Sequence, residues 1–219
     1  MHSQARAVTT TQLAPHEKVA ELALRYRDSH THKPVSEHTQ NAFGEVSDWL
    51  GDWRGELIID ACCGVGESTA KIARLYPDAR IIGIDKSAAR LNKHDHYATT
   101  AQNYCTVRAD VIDFWHLAVQ HKWRTTRQFL LYPNPYPKPA QLQKRWHASS
   151  SLPHIVALGG EIRVRSNWLL YLQEFGIALS VYDKPSCISK IDNQAPLTPF
   201  ERKYQESQQD CWELRAALN

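Results

Sequence analysis

The chain of 219 residues has no stretch near the roughly 18–20 uninterrupted apolar residues that cross a bilayer. Its opening residues, Met1-His2-Ser3-Gln4-Ala5-Arg6, also lack the apolar segment of a secretory signal. Both absences lead us to expect a cytoplasmic protein with no membrane partner. Cysteine is scarce and poorly spaced for cross-linking: there are five, none in a Cys-x-x-Cys pair, and Cys62 and Cys63 are adjacent. Neither a disulfide framework nor a structural zinc site is expected, and the thiols read as reduced core residues. Of the eleven histidines the densest cluster is His94-Asp95-His96, which has no helical i, i+4 partner; it reads as a solvated surface segment, and no metal is expected.

A second absence is local. From Phe114 through Gly160 there is no Asp or Glu, while Lys122, Arg124, Arg127, Lys138, Lys144 and Arg145 supply six positive charges, leaving −3 for the rest of a chain whose formal charge is +3. The same window holds Trp115, Trp123, Tyr132, Tyr136 and Trp146. Cations interleaved with aromatics, and nothing to repel phosphate, form the footprint of an RNA-binding surface.

What is present is ordinary for a folded chain. Hydrophobic residues at 42% and charged residues at 22% exclude a disordered or fibrous protein, and the length suits one domain, acting as a monomer or homodimer. Residues 1–54 read as an N-terminal helical arm or cap, with helices predicted from Pro15 to about Arg27 and from about Glu37 to Leu50, the latter ending at Gly51. Residues 55–219 read as the main domain. There, short apolar runs alternate with amphipathic segments: strands at Leu57-Ile58-Ile59, Ala79–Ile84, Tyr104–Ala109, Gln128–Tyr132, Gly160–Val164 and Ile177–Tyr182, and helices at Glu67–Leu75 and Ser87 to about Lys93. This pattern predicts an α/β fold, a doubly wound, mostly parallel, Rossmann-like sheet.

Asp60-Ala-Cys-Cys-Gly64-Val-Gly66 follows the first strand, and Asp85 ends the second, where a carboxylate can accept both hydroxyls of a ribose. The third glycine of a dinucleotide loop is replaced by Thr69, and acidic Glu67 stands where a phosphate needs a donor, which argues against NAD. Asp60 instead suits a cationic ligand such as the sulfonium and amino group of S-adenosylmethionine. Asp110, after the third strand, reads either as a contact to the adenine amino group or as a helix N-cap.

Pro133-Asn134-Pro135-Tyr136-Pro137-Lys138-Pro139 places four prolines in seven residues after the fourth strand, a rigid loop beside the cofactor. Asn134 can read a base edge and Tyr136 can stack on a base.

Tyr132-Pro-Asn-Pro-Tyr-Pro-Lys138 resembles the Phe-Pro-Asp-Pro-Trp-Pro-Lys loop of the bacterial tRNA (guanine-N7)-methyltransferases. Ser166-Asn167-Trp168-Leu-Leu-Tyr171 resembles that family's Thr-Asp-Trp-x-x-Tyr, and Thr198-Pro-Phe200-Glu201-Arg202 its Thr-Lys-Phe-Glu-Arg. The likeness runs from about Glu56 to the C-terminus. It implies a class I methyltransferase that uses S-adenosylmethionine to modify tRNA, with Asp60, Gly64, Gly66, Asp85 and Asp110 at the cofactor. It also implies Asn134, Lys138 and Asn167 at the reacting base, and Tyr136, Lys144, Arg145, Thr198, Phe200 and Glu201 on the RNA. The chain departs from the family pattern where Asn134 and Asn167 replace aspartates, Pro199 replaces a lysine, Cys62 replaces the first loop glycine, and the basic run after the loop is thinned. The alternatives are a diverged paralogue that binds cofactor and RNA without N7 activity, and a methyltransferase for an exocyclic amine, a small molecule or a protein.

Overall fold

The computed structural model describes residues 5, 7–29, 33–192 and 195–219. Among them one sheet has seven strands: β1 (Leu57–Ala61), β2 (Arg80–Asp85), β3 (Tyr104–Arg108), β4 (Arg127–Leu131), β5 (Glu161–Ser166), β6 (Ser186–Lys190) and β7 (Trp212–Ala217). Their order is β3-β2-β1-β4-β5-β7-β6, and β7 alone runs antiparallel to its neighbours. The helices are α1 (Val19–Arg27), α2 (Glu37–Leu50), α3 (Glu67–Leu75), α4 (Ala88–Leu91), α5 (Val111–Gln120), α6 (Leu152–Leu158), α7 (Leu169–Ser180) and α8 (Pro199–Glu206).

Successive strand residues point to opposite faces, and in the central strands β1, β2 and β4 both faces are buried, which is why these read as largely apolar runs rather than alternating. Ile58, Ile81 and Phe129 pack with Ile72 and Ala73 of α3 in one cluster. Ile59, Ile82, Leu130 and Ile162 belong to the larger cluster, with Phe114 and Trp115 of α5, Ile155 of α6 and Phe175 of α7. Val19, Leu22, Phe43 and Val46 of α1 and α2 lie in that same larger cluster, with the Phe43 ring stacked 4.6 Å from Trp123.

Three expectations are corrected. Ile177–Tyr182 is no strand: Ile177 to Ser180 end α7, whose buried Leu170, Tyr171, Phe175, Ala178 and Leu179 recur at helical spacing. The last two strands are β6 and β7 instead, missed because β6 is a polar, largely exposed edge strand and β7 carries Glu213 and Arg215 within it. Cys187 is exposed rather than in the core, although all five thiols are free.

Candidate active site

The strand order reverses between β1 and β4, and in a doubly wound sheet the crevice beyond the strand ends at that reversal is where ligands bind. Two unusual loops open there side by side, the glycine loop after β1 and the proline loop after β4. Both hold strained backbone: Cys62 has φ 61°, Tyr132 φ 52° and Tyr136 φ 44°, all in the left-handed region that side chains disfavour. Cys62 therefore occupies a turn that wants the glycine it replaces.

Gly66, at φ 75°, ends the glycine loop against the ring of His94; a β-carbon there would lie 2.4 Å from Nδ1. His94 lies 3.1 Å from the Val65 carbonyl through Nδ1 and 3.2 Å from the Tyr104 hydroxyl through Nε2, so this histidine buttresses the loop and is not the solvated surface residue expected. Space in front of Gly64 is open. The missing third glycine is accounted for across the interface: a β-carbon on Gly83 of β2 would sit 2.3 Å from Thr69 Oγ1, so the close helix–strand approach is made by a glycine on the strand.

Asp60 is wholly buried. Its Oδ2 accepts hydrogen bonds from Ser68 (2.6 Å) and Thr69 (2.7 Å), pinning the first turn of α3, while Oδ1 has no hydrogen-bond partner among the described residues. Burial pushes its pKa up to about 6, against the hydroxyl hydrogen bonds and with some help from the charge of Asp85. Asp60 thus lies beneath the loop, where it can reach a ligand only through its field. Asp85, ending β2, accepts from the Gly64 amide (3.0 Å) and the Ser87 amide (2.8 Å), with Arg90 standing over it at 3.5 Å. Asp110 caps α5, accepting from the Ile112 and Asp113 amides, and its exposed side chain leaves the N-cap and adenine readings compatible.

In the proline loop Asn134 is exposed, its Oδ1 accepting from the Tyr136 amide at 3.3 Å, and Lys138 is exposed. Tyr136 is half-buried, with the Lys144 ammonium 5.9 Å from its ring. Arg145, expected on RNA, is fully buried instead: it pairs with Glu174 at 2.5 Å, donates to the carbonyls of Tyr136 and Lys138, and lies over Trp168. Glu201, also expected on substrate, is buried with both carboxylate oxygens engaged, by Arg165 (2.9 Å) and by the Leu197 amide (3.1 Å). Thr198 caps α8 through the Glu201 amide (3.0 Å), and Arg202 pairs with Glu67, so this turn is locked to both β5 and α3. Phe200 projects from it, 55% exposed, and half-buried Asn167 donates to Gln209 at 3.0 Å.

The acid-free window does not form one surface. Trp115 is core, Trp123 packs on Phe43, and Trp146 meets Trp115 edge-on. Lys122 and Arg124 precede β4 and Arg127 begins it, at the end of the sheet away from the site, with Arg127 paired to Glu56 (2.7 Å). Lys138 and Lys144 are the exposed cations of this window beside the proline loop.

A family model described as "Putative methyltransferase" matches residues 54–214. The chain belongs to this methyltransferase family. Solved structures similar in fold include the 16S rRNA methyltransferase KamB, with TM-score 0.57, 14% identity, and 86% of this chain and 96% of that chain covered. Another is a 16S rRNA (adenine(1408)-N(1))-methyltransferase from Catenulisporales acidiphilia with its cosubstrate SAM, with TM-score 0.51, 11% identity, and 84% and 93% covered. Trans-aconitate 2-methyltransferase of Yersinia pestis (strain Pestoides F) is 36% identical over 81 residues, covering 36% of this chain; the match spans about a quarter of that relative's length, 26%.

The methyltransferase fold uses S-adenosylmethionine, and the site fits that group. The unpartnered, buried oxygen of Asp60 leaves an uncompensated negative charge under the loop, suited to a cationic ligand. Asp85 ends β2 beneath the same loop, 2% exposed, with its two carboxylate oxygens accepting from the Gly64 and Ser87 amides, and Asp110 follows the third strand. Motif reading assigned no place here to Arg90, His94, Arg165 or Glu174, whose ion pairs and hydrogen bonds hold the loops and turns around the site. Of these only Glu174 had a visible signal, a single charge in the otherwise uncharged run Leu169–Ser180.

Proposed function

We propose that this S-adenosylmethionine-dependent methyltransferase acts on tRNA and methylates guanine N7. The observation that carries the reading is the placement of the proline loop, with exposed Asn134 and Lys138 and half-exposed Tyr136, at the sheet reversal beside the glycine loop. Its sequence likeness to the guanine-N7 loop supports the choice of atom, and the rRNA methyltransferases named among the structural neighbours support a nucleic-acid substrate.

The cofactor supplies a methyl group on a positively charged sulfur. Guanine N7 offers an in-plane lone pair and carries no proton, so the reaction needs orientation and stabilisation of a cationic product rather than a base. Asn134 orients the guanine: its amide N–H donates and its carbonyl retains a lone pair for the N–H groups of the base. Tyr136 and Phe200 offer rings for an extruded base or its neighbour, and Lys138 and Lys144 meet phosphate. The field of Asp60 and Asp85 favours positive charge across the pocket. Asn134 lacks the charge of the family aspartate, which gives the second reading, a paralogue that binds cofactor and RNA with feeble transfer.

Asn134 variants assayed on bulk tRNA test the role. Asn134→Ala should lower kcat by about 10²-fold, as for a lost oxyanion-hole type donor, with cofactor affinity unchanged, and Asn134→Asp should raise it. Equal rates in all three proteins would remove Asn134 from the chemistry.

A further inference from the structure

The proline loop cannot hold itself in place. Pro133, Pro135, Pro137 and Pro139 have no backbone N–H, so the segment can build no ladder of its own, and Tyr136 is held at a positive φ. Its carbonyls nonetheless have donors: besides the Gln141 amide on the Lys138 carbonyl (2.9 Å), these are side chains outside the loop. Arg145 Nε and Nη2 donate to the Tyr136 carbonyl at 3.2 and 3.0 Å, and Nη2 reaches the Lys138 carbonyl at 3.5 Å. Thr10 Oγ1 donates to the Pro137 carbonyl between them at 2.7 Å. Three consecutive carbonyls are therefore gripped by two side chains, Arg145 just beyond the loop and Thr10 far from it in sequence.

The grip has a second tier. Gln12 bridges the buried ion pair, its Oε1 accepting from Arg145 Nη2 (3.0 Å) and its Nε2 donating to Glu174 Oε1 (2.6 Å). The His16 amide donates to the same Glu174 oxygen at 2.9 Å, and His147 lies 3.0 Å from the other. Burial opposes the Glu174 charge, but these hydrogen bonds outweigh it and hold the carboxyl at about 2, so the pair is ionised across the working range. Further back along the segment, Ala5 is tied to Ser207 and Gln209 beyond α8. The strand-free residues 7–16 thus cross the substrate end of the site and end on the helix that anchors the loop's arginine.

The geometry points to a positioning role for this segment: Thr10 and Gln12, through Arg145 and Glu174, set the proline loop and with it Asn134 and Tyr136. The role deepens the reading of that loop as the substrate-orienting element and rests on it. The N-terminal residues are then part of the substrate site, although they touch no reacting atom, and the buried Arg145 belongs to the loop's support rather than to an RNA face.

The test is the full-length double variant Thr10→Val, Gln12→Leu, which keeps side-chain volume and leaves the Arg145–Glu174 pair intact. Amide-resolved hydrogen exchange should quicken about tenfold at Tyr136 and Lys138, the scale of one lost hydrogen bond. On bulk tRNA kcat should fall between about tenfold and 10²-fold, the cost of a slightly misplaced group, with KM for S-adenosylmethionine unchanged. Thr10→Ser in place of Thr10→Val, which retains the hydroxyl, should recover the share of exchange protection and kcat that the Thr10 hydrogen bond supplies. Arg145→Lys, which keeps the charge but cannot grip two carbonyls, should reproduce the faster exchange. Unchanged exchange at Tyr136 and Lys138 in the double variant overturns the proposal. If the wild-type protein fails to methylate tRNA, the functional reading fails while the exchange arm still decides the clamp.

Discussion

Asp60 is a charge that the cofactor-free fold would be more stable without. Its pKa is raised to about 6, so the carboxyl is neutral in the folded protein where it is already ionised in the unfolded chain. Between about pH 4 and pH 6 the folded state binds the extra proton, and stability therefore falls as pH rises through that window. By neutral pH the penalty reaches roughly 3 kcal/mol. Asp60→Asn should accordingly raise the cofactor-free stability at pH 7 by up to about that amount, less whatever the exchange weakens in the Ser68 and Thr69 hydrogen bonds, and should weaken binding of the cationic cofactor. In the wild type, affinity should drop as pH is lowered through about 6, where the carboxyl loses its charge. Denaturant melts and calorimetry across pH 4–8 measure both; a variant that is less stable at pH 7 while binding normally would contradict this account. Asp60 and Asp85 were legible from position at strand ends, but burial was not: from the sequence, a carboxylate under a loop and one facing a ligand look alike.

At the scale of elements, the approach of α3 to β2 depends on Gly83. Because an added β-carbon would meet Thr69 Oγ1 at 2.3 Å, Gly83→Ala should cost about 1–3 kcal/mol by overpacking. Thr69→Ala in that background should recover part of the loss, and additive effects in the double-mutant cycle would show that the two positions do not touch. The helix over Glu37–Leu50 and the helix over Glu67–Leu75 were legible to the residue, since their apolar spacing, Gly51 and the Tyr76-Pro77 stop agree with one another. Strands buried on both faces announced themselves as continuous apolar runs. β6 and β7 did not, because β6 is a polar, largely exposed edge strand and β7 holds Glu213, buried against Arg165, where neither periodicity nor hydropathy marks a strand. The same limit hid the support of the proline loop: its rigidity was readable from four prolines, but Thr10, Gln12 and Glu174 come to it through tertiary contact.

For the whole molecule, the absence of acidic residues over Phe114–Gly160 proves to be three separate things. Part is core, part lies at the far end of the sheet, and Arg145 is spent internally on the proline loop. What remains beside the proline loop is Lys138 and Lys144, the latter over Tyr136, so under the proposed function recognition of RNA would rest on shape and stacking with few phosphate contacts. The proposed function makes one requirement of this architecture, a base presented to a methyl donor at the reversal of the sheet. The measurement that bears most directly on this is nucleoside mass spectrometry of bulk tRNA from a strain lacking the gene, incubated with the purified protein and isotopically labelled S-adenosylmethionine. Labelled 7-methylguanosine is the expected product; tRNA nucleosides free of label, with the protein folded and cofactor bound, would contradict it.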